Sequence, residues 1–152
     1  MALKRVQLLV AAAALTAGAL AVTTAATAQA SDRPAAHPGH GCAGLVGKSL
    51  EITFDNGLDM RFDYAADGTQ LTGTVVAPGN SGGAAGVVNT VPVSIGQAAK
   101  NVYFSNWNEH SGLTVSLTQN LKSGTAQAYW SFPTTGDVRA GQLHTGTIRC
   151  LS

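Results

Sequence analysis

The stretch KSLEITFDNGLDMRFDYA, residues 48–65, decides the fold of this 152-residue chain. Apolar and polar side chains alternate through both of its halves, and the apolar set is Leu50, Ile52 and Phe54, then Leu58, Met60, Phe62 and Tyr64. Successive side chains of a β-strand point to opposite faces, so each half predicts a strand with one buried face. Asn56-Gly57 separates the halves, and both residues tolerate the positive φ angles of a tight turn. The stretch therefore predicts a β-hairpin.

Short strand-like segments continue to the end of the chain with no segment of helical period. Pro92 falls inside the fourth segment and predicts an edge or a bulge there, because proline has no N–H to donate. The Gly-rich loop 78–86 is expected to form a rim or a mobile lid. We predict an all-β, eight-stranded, antiparallel up-and-down barrel. Its strands are expected at 48–55, 58–65, 69–77, 87–95, 101–108, 113–120, 125–132 and 138–150.

The N-terminal 30 residues have the organisation of a cleaved signal peptide. Lys4 and Arg5 precede an apolar run over 6–22, and Ala28-Gln29-Ala30 supplies a small-x-small cleavage site. Residues 31–46 are then expected to be a flexible leader, and residues 47–152 the folded domain. The sequence predicts a secreted protein with no membrane attachment after cleavage; a retained N-terminal anchor is the alternative.

Charge and cysteine content narrow the classes of partner. Without Lys4 and Arg5, seven basic residues face eight acidic ones, and no Lys/Arg cluster occurs. This argues against nucleic acid and anionic membranes as partners. Cys42 and Cys150 are the two cysteines, and in an oxidising compartment the expected outcome is a disulfide that ties the first strand to the last. Two free thiols are the alternative.

A second hairpin, residues 102–117, carries the leading candidate for a functional residue. Tyr103, Ser105, Trp107 and Glu109 share one face of its first strand. If that face lines the barrel interior, Glu109 lies in an aromatic-walled pocket, where a carboxylate needs a role or a partner. It would act there as a general acid, a base or a hydrogen-bond acceptor. The alternative is an exposed residue in an ordinary turn.

Several aromatic side chains are candidates for the wall of such a pocket, although large inward-facing aromatics are often plain core. The expected ligand-binding set is Phe54, Phe62, Tyr103, Trp107, Glu109 and Trp130. His37, His40 and Cys42 resemble a metal cluster, but they fall in the leader and Cys42 is expected to be oxidised. No metal and no cofactor are therefore predicted.

Two segments carry a family resemblance. Residues 47–58, GKSLEITFDNGL, resemble the opening hairpin of the MoaF-like domains, which are small lipocalin-like (calycin) barrels. Residues 102–117 resemble the later hairpin of the same family, with the pattern Y-x-x-x-W-x-E-x-x-G-x-x-V. The resemblance covers most of residues 47–148 in order and spacing, and it implies a lipocalin-like barrel.

Both segments also resemble, more distantly, the bacterial phenolic acid decarboxylases. Glu109 matches the catalytic glutamate of that family. The two tyrosines that grip the substrate carboxylate in the family fall on Ile52 and Phe54, which donate no hydrogen bond. The family arginine would fall within 70–72, where this chain has none. This chain therefore has the family's catalytic glutamate but lacks its two tyrosines and its arginine.

Three functions remain open. Binding of a small apolar or aromatic ligand inside the barrel is favoured over catalysis, with Glu109 as the polar anchor. A lyase or isomerase that uses Glu109 as general acid or base requires a second polar residue facing the cavity. An interaction module acting through loops such as 78–86 predicts a packed interior without a cavity. Val76 and Val88 are expected to face outward and leave room for a homodimer.

Overall fold

The computed structural model describes residues 42–136 and 138–152. The predicted signal peptide and the first part of the leader, residues 31–41, lie outside this part of the chain. The described residues form nine β-strands, and no helix among them is long or apolar enough to cross a membrane. The strands are β1 (Ser49–Phe54), β2 (Asp59–Tyr64), β3 (Gln70–Ala77), β4 (Val88–Pro92), β5 (Ser94–Ala99), β6 (Val102–Asn108), β7 (Thr114–Asn120), β8 (Thr125–Pro133) and β9 (Arg139–Cys150).

The hairpin at residues 48–65 forms as its alternating pattern predicts. β1 pairs antiparallel with β2 in a register that places Leu50 opposite Phe62, and both side chains are buried. Gly57 adopts a φ of 81°, which a residue with a side chain rarely adopts, and so closes the turn. Of the polar set, Arg61 is exposed and Glu51 accepts a hydrogen bond from Arg149 of β9 at 2.7 Å, whereas Asp59 is buried.

The sheet is antiparallel throughout and follows the chain around a nearly closed barrel. The strand order is β4-β3-β2-β1-β9-β8-β7-β6-β5, so the first strand of the meander lies beside the last. The two ends of this order, β4 and β5, are consecutive in the chain and are separated only by Val93. β4 pairs with β3 and β5 pairs with β6, so the bend at Val93 brings the two ends of the sheet together.

The predicted strand count of eight is wrong, and Pro92 is the reason. The single strand expected at 87–95 is two strands, β4 and β5, and β4 ends at Pro92. Proline cannot donate a ladder hydrogen bond. The last hydrogen bond on this side runs from the Val93 N–H to the carbonyl of Thr69, the residue before β3, at 3.0 Å, and pairing with β6 begins at Ser94. The all-β, antiparallel, up-and-down barrel itself is confirmed.

A disulfide joins Cys42 to Cys150, as predicted, with a Cα–Cα distance of 5.9 Å. It lies where β1 and β9 pair, because Leu50 of β1 is the ladder partner of Cys150. The half of the barrel interior nearest this crosslink is filled by side chains that include Leu50, Ile52 and Leu117, all fully buried. This half of the barrel interior is therefore packed core.

Candidate functional site

A cavity of about 920 Å³ occupies the other half of the barrel interior. It lies toward the end that carries the β1–β2, β3–β4, β6–β7 and β8–β9 turns, and most of its lining is apolar. Its lining includes the aromatic residues Phe54, Phe62, Trp107 and Trp130 and the polar residues Asn89, Glu109, His110 and Gln142. The next inward positions toward the disulfide, such as Ser105 below Trp107 on β6 and Leu117 below Val115 on β7, belong to the packed half.

Two edge-to-face aromatic pairs form part of the cavity wall. Phe54 meets Trp130 with ring centroids 5.5 Å apart and an interplanar angle of 72°. Phe62 meets Trp107 at 5.7 Å and 63°. Edge-to-face contacts of this kind fix the orientation of both rings. The four aromatic positions are thus brought together around one space.

Tyr103 is the one member of the expected ligand-binding set that lies elsewhere. It does share the inward face of β6, but it stands two residues below Ser105, in the packed half of the barrel. Its hydroxyl approaches Gly44, in the segment before β1. Strand parity identified the correct face, whereas the depth along the barrel depends on which strands surround it. Tyr103 is therefore not part of the cavity lining.

Glu109 lies at the cavity, directly after the last residue of β6. The turn that holds it is closed by a hydrogen bond from the Glu109 N–H to the Leu113 carbonyl, at 2.7 Å. The Trp107 indole N–H donates to Glu109 Oε1 at 2.7 Å. The Asn89 side-chain amide donates to Oε2, from across the gap between β4 and β6. Two N–H donors thus hold the carboxylate in place, one on each oxygen.

Asn89 and Gln142 are cavity residues that the sequence reasoning did not single out. Asn89 has the same strand parity as the buried Val91, and this alternation was the available signal. Gln142 lies opposite Trp130 in the β8–β9 ladder. Its side chain was not expected in the pocket, because only the packed barrel shows that this ladder position opens on the cavity.

His144 stacks on the aromatic wall without lining the cavity. Its ring lies against Trp130, with centroids 4.0 Å apart. Its Nδ1 is 2.8 Å from Asp55 Oδ1, and its Nε2 is 3.3 Å from Gln142 Oε1. The backbone N–H of Thr145 and then the His144 imidazole lower the pKa of Asp55 to about 2. His144 is thus a histidine whose two ring nitrogens both have hydrogen-bond partners.

The rim loop 78–86 is attached to the first turn of the barrel. Asn80 donates its backbone N–H to the Asn56 carbonyl at 3.0 Å, and Asn80 and Ser81 line the cavity. Gly79 approaches Gly57 so closely that a Cβ at Gly79 would lie 2.2 Å from the Gly57 carbonyl carbon. Only glycine fits at this contact. The anchored start of the loop therefore forms one side of the cavity mouth.

Within residues 42–136 and 138–152, no group of three or more histidine, cysteine, aspartate or glutamate side chains is arranged to hold a metal ion. The cluster considered from the sequence is divided between two parts of the chain. Cys42 is in the disulfide, and His37 and His40 fall outside the described residues.

Comparison with known proteins agrees with this architecture. A solved structure of a "putative beta-lactamase" from Burkholderia vietnamiensis superposes with a TM-score of 0.59 at 21% sequence identity, covering 70% of this chain and 95% of that chain. At this identity the likeness extends to the fold alone. No curated protein matches the chain. The MoaF-like family model matches residues 46–147, two thirds of the chain, and the protein therefore belongs to the MoaF-like family.

Proposed function

We propose that this protein is secreted and binds a small, partly apolar molecule inside the barrel. The observation that carries the proposal is the cavity of about 920 Å³, lined mainly by apolar and aromatic side chains with a few polar groups among them. Binding sites for small molecules commonly have this composition and volumes of roughly 300–1,000 Å³. The disulfide between Cys42 and Cys150 is consistent with the exported location that the N-terminal sequence predicts.

The cavity has a polar anchor in addition to its apolar wall. Glu109 accepts hydrogen bonds from Trp107 and Asn89, so its position is set before a ligand arrives. Each carboxylate oxygen has two acceptor sites, which leaves acceptor capacity beyond these two bonds. A ligand with an apolar body and one polar end would match this arrangement.

Native mass spectrometry of the protein purified from its own culture medium, with and without a denaturing step, tests the proposal directly. We expect a small molecule that leaves on denaturation and is lost in the Glu109→Gln variant. An unchanged apo mass after incubation with a metabolite extract would argue against a carrier.

A neutral fluorescent probe, N-phenyl-1-naphthylamine, tests the cavity without knowledge of the natural ligand. Val75 lines the cavity and its neighbour Val76 is 41% exposed on the opposite face of β3. Val75→Trp should reduce probe affinity by about tenfold or more, since filling the space removes the apolar contact area. Val76→Trp adds the same volume outside and should leave the affinity within about twofold. Equal effects of both variants would place the probe elsewhere.

Catalysis by Glu109 as general acid or base is the second candidate function. It requires a further polar residue at the cavity, and Asn89, Gln142 and His110 are present in the lining. Its test is turnover of small unsaturated or hydroxylated aromatic substrates, which Glu109→Gln should abolish while probe binding persists. The interaction-module hypothesis expects a filled interior, and the cavity is contrary to that expectation.

A further inference from the structure

The described residues place a carboxylate, but no permanently cationic side chain, at the cavity. Its lining includes Glu109 and neither a lysine nor an arginine. The described arginines are engaged on the outer face of the sheet: Arg61 with Asp63, Arg149 with Glu51, and Arg139 with Ser131 and the Gly112 carbonyl. The formal charge at the cavity is therefore negative, apart from His110, which is exposed at the mouth.

This charge distribution selects against anions. A ligand carboxylate or phosphate in the cavity would lie close to Glu109 in surroundings that are largely apolar. It would lose its hydration and find no cationic partner in the lining, and both effects oppose binding. The first strand adds no donor for an anion either, because the β1 residue on the cavity wall is Phe54.

The same wall favours a cation. Glu109 is held by two N–H donors and keeps acceptor capacity for a donor on the ligand. Trp107 and Trp130 lie on the cavity wall with Phe62 and Phe54, and aromatic faces attract cations through their quadrupoles. A protonated amine would donate a charge-assisted hydrogen bond to the Glu109 carboxylate, and the aromatic faces would attract it through cation–π interactions.

We propose that the cavity selects cationic amines: molecules with an apolar or aromatic body and a protonated amino group that binds the Glu109 carboxylate. This inference rests on the proposed binding function and names the class of ligand for that site.

The test is a matched series of ligands with one naphthalene body: 2-(2-naphthyl)ethylamine, 2-(2-naphthyl)ethanol and 2-naphthylacetic acid. Each is titrated at pH 7.5 to displace N-phenyl-1-naphthylamine from the full-length secreted protein. We expect the amine to displace the probe at a concentration about tenfold or more below the alcohol, with the acid weakest, because a hydrogen bond to an ionised partner is the stronger kind.

Glu109→Gln should abolish the preference for the amine over the alcohol, with each displacement measured against the probe affinity of that same variant. Glu51→Gln makes the same charge change on the outer face, beside Arg149, and should preserve the preference. Far-UV circular dichroism and the melting temperature establish that each variant is folded.

The outcomes separate the two proposals. If the neutral probe does not bind the wild type, the proposed binding function fails. If the probe binds but the amine displaces it no better than the alcohol or the acid, the inference of a cationic ligand is overturned while the binding function stands. A preference for the amine that survives in Glu109→Gln also overturns it, since the carboxylate would then not be the recognising group.

Discussion

Asp55 directly follows β1, and its carboxylate connects that strand to β9 near the cavity. Its oxygens accept hydrogen bonds from the Thr145 backbone N–H and hydroxyl, and its Oδ1 contacts His144, which in turn stacks on Trp130. One side chain thus links the end of β1 to β9 and to the aromatic wall. The ring orientation of Trp130 depends in part on this contact.

The low pKa of Asp55 predicts that its contacts with β9 contribute less to stability at acidic pH. Because its pKa is lowered to about 2 in the folded protein, the ionised form contributes stability that is present above the ordinary value near 3.9. That contribution is lost as the pH falls through about 2. Asp55→Asn should therefore lower the melting temperature at pH 5 and should have progressively less effect at pH 3 and pH 2.

Thermal unfolding of both proteins across this range measures the difference. The comparison variant is Asp67→Asn, at a hairpin turn away from the cavity. Hydrogen bonds from Thr69 lower the pKa of Asp67 as well, so this variant also loses stability at pH 5, but it should leave the tryptophan fluorescence unaltered, whereas Asp55→Asn should change it. A gap in melting temperature between wild type and Asp55→Asn that is the same at all three pH values would contradict the prediction.

A small network of buried polar side chains forms part of the packed half of the interior. Tyr64, Ser105 and Gln119 are all buried and bond to one another, with Gln119 donating to the Tyr64 hydroxyl at 2.6 Å. Burial raises the pKa of Tyr64, so its hydroxyl keeps its proton and can donate in its turn. A satisfied network of this kind can be buried at little cost, which lets it serve as packed core.

At the scale of elements, the bend between β4 and β5 creates the geometry of the site. Past the bend, β5 pairs with β6, but β4 stays with β3, so the cavity end of β6 has no ladder partner on that side. The side chains of Asn89 and Glu109 bridge this gap.

The contact between the rim loop and the first turn gives a prediction at the same scale. Gly79→Ala places a Cβ against backbone atoms of Gly57 and should destabilise the protein by about 1–3 kcal/mol and weaken probe binding, because the loop must leave the mouth. Gly82→Ala is the matched control: Gly82 also has a positive φ, of 76°, but nothing lies within 4 Å of its added Cβ.

Urea unfolding measures the stability of the two variants, and titration with the probe measures their binding affinity. The difference between them isolates the steric contact, since the strain of a positive φ is common to both. Equal losses in Gly79→Ala and Gly82→Ala would show that the contact with Gly57 contributes nothing beyond that strain.

At the scale of the whole molecule, the disulfide links positions 108 residues apart in the chain at the junction of the first and last strands. Replacing both cysteines by serine should lower the free energy of unfolding by about 2–5 kcal/mol, because the unfolded chain regains the freedom that the crosslink removes. Denaturant titration measures this change, and reduction of the wild type with a small thiol should give a loss of similar size. Unchanged stability in the double variant would contradict this account.

The outer surface leaves room for a second copy of the chain, as the sequence suggested. Val76 and Val88 are 41% and 59% exposed, and Val88 also borders the cavity. A homodimer through this face stays a prediction, and the molecular mass in solution would test it.

The sequence alone determined the features that depend on short-range alternation and on composition. Side-chain parity predicted the first hairpin, the inward face of β6 and the antiparallel meander, because a strand has a period of two wherever it lies. The two cysteines and the oxidising compartment predicted the crosslink. The motifs of both hairpins predicted the MoaF-like family, and the family match over residues 46–147 agrees.

Only the tertiary structure decided where along the barrel the interior is empty. Tyr103 and Trp107 share one face of one strand, yet the first lies in the packed half and the second lines the cavity, because different neighbours surround them. Asn89 meets Glu109 across 20 residues of sequence through the break at Pro92. Depth and cross-barrel contact are properties of how strands close on one another, and no local pattern of residues encodes them.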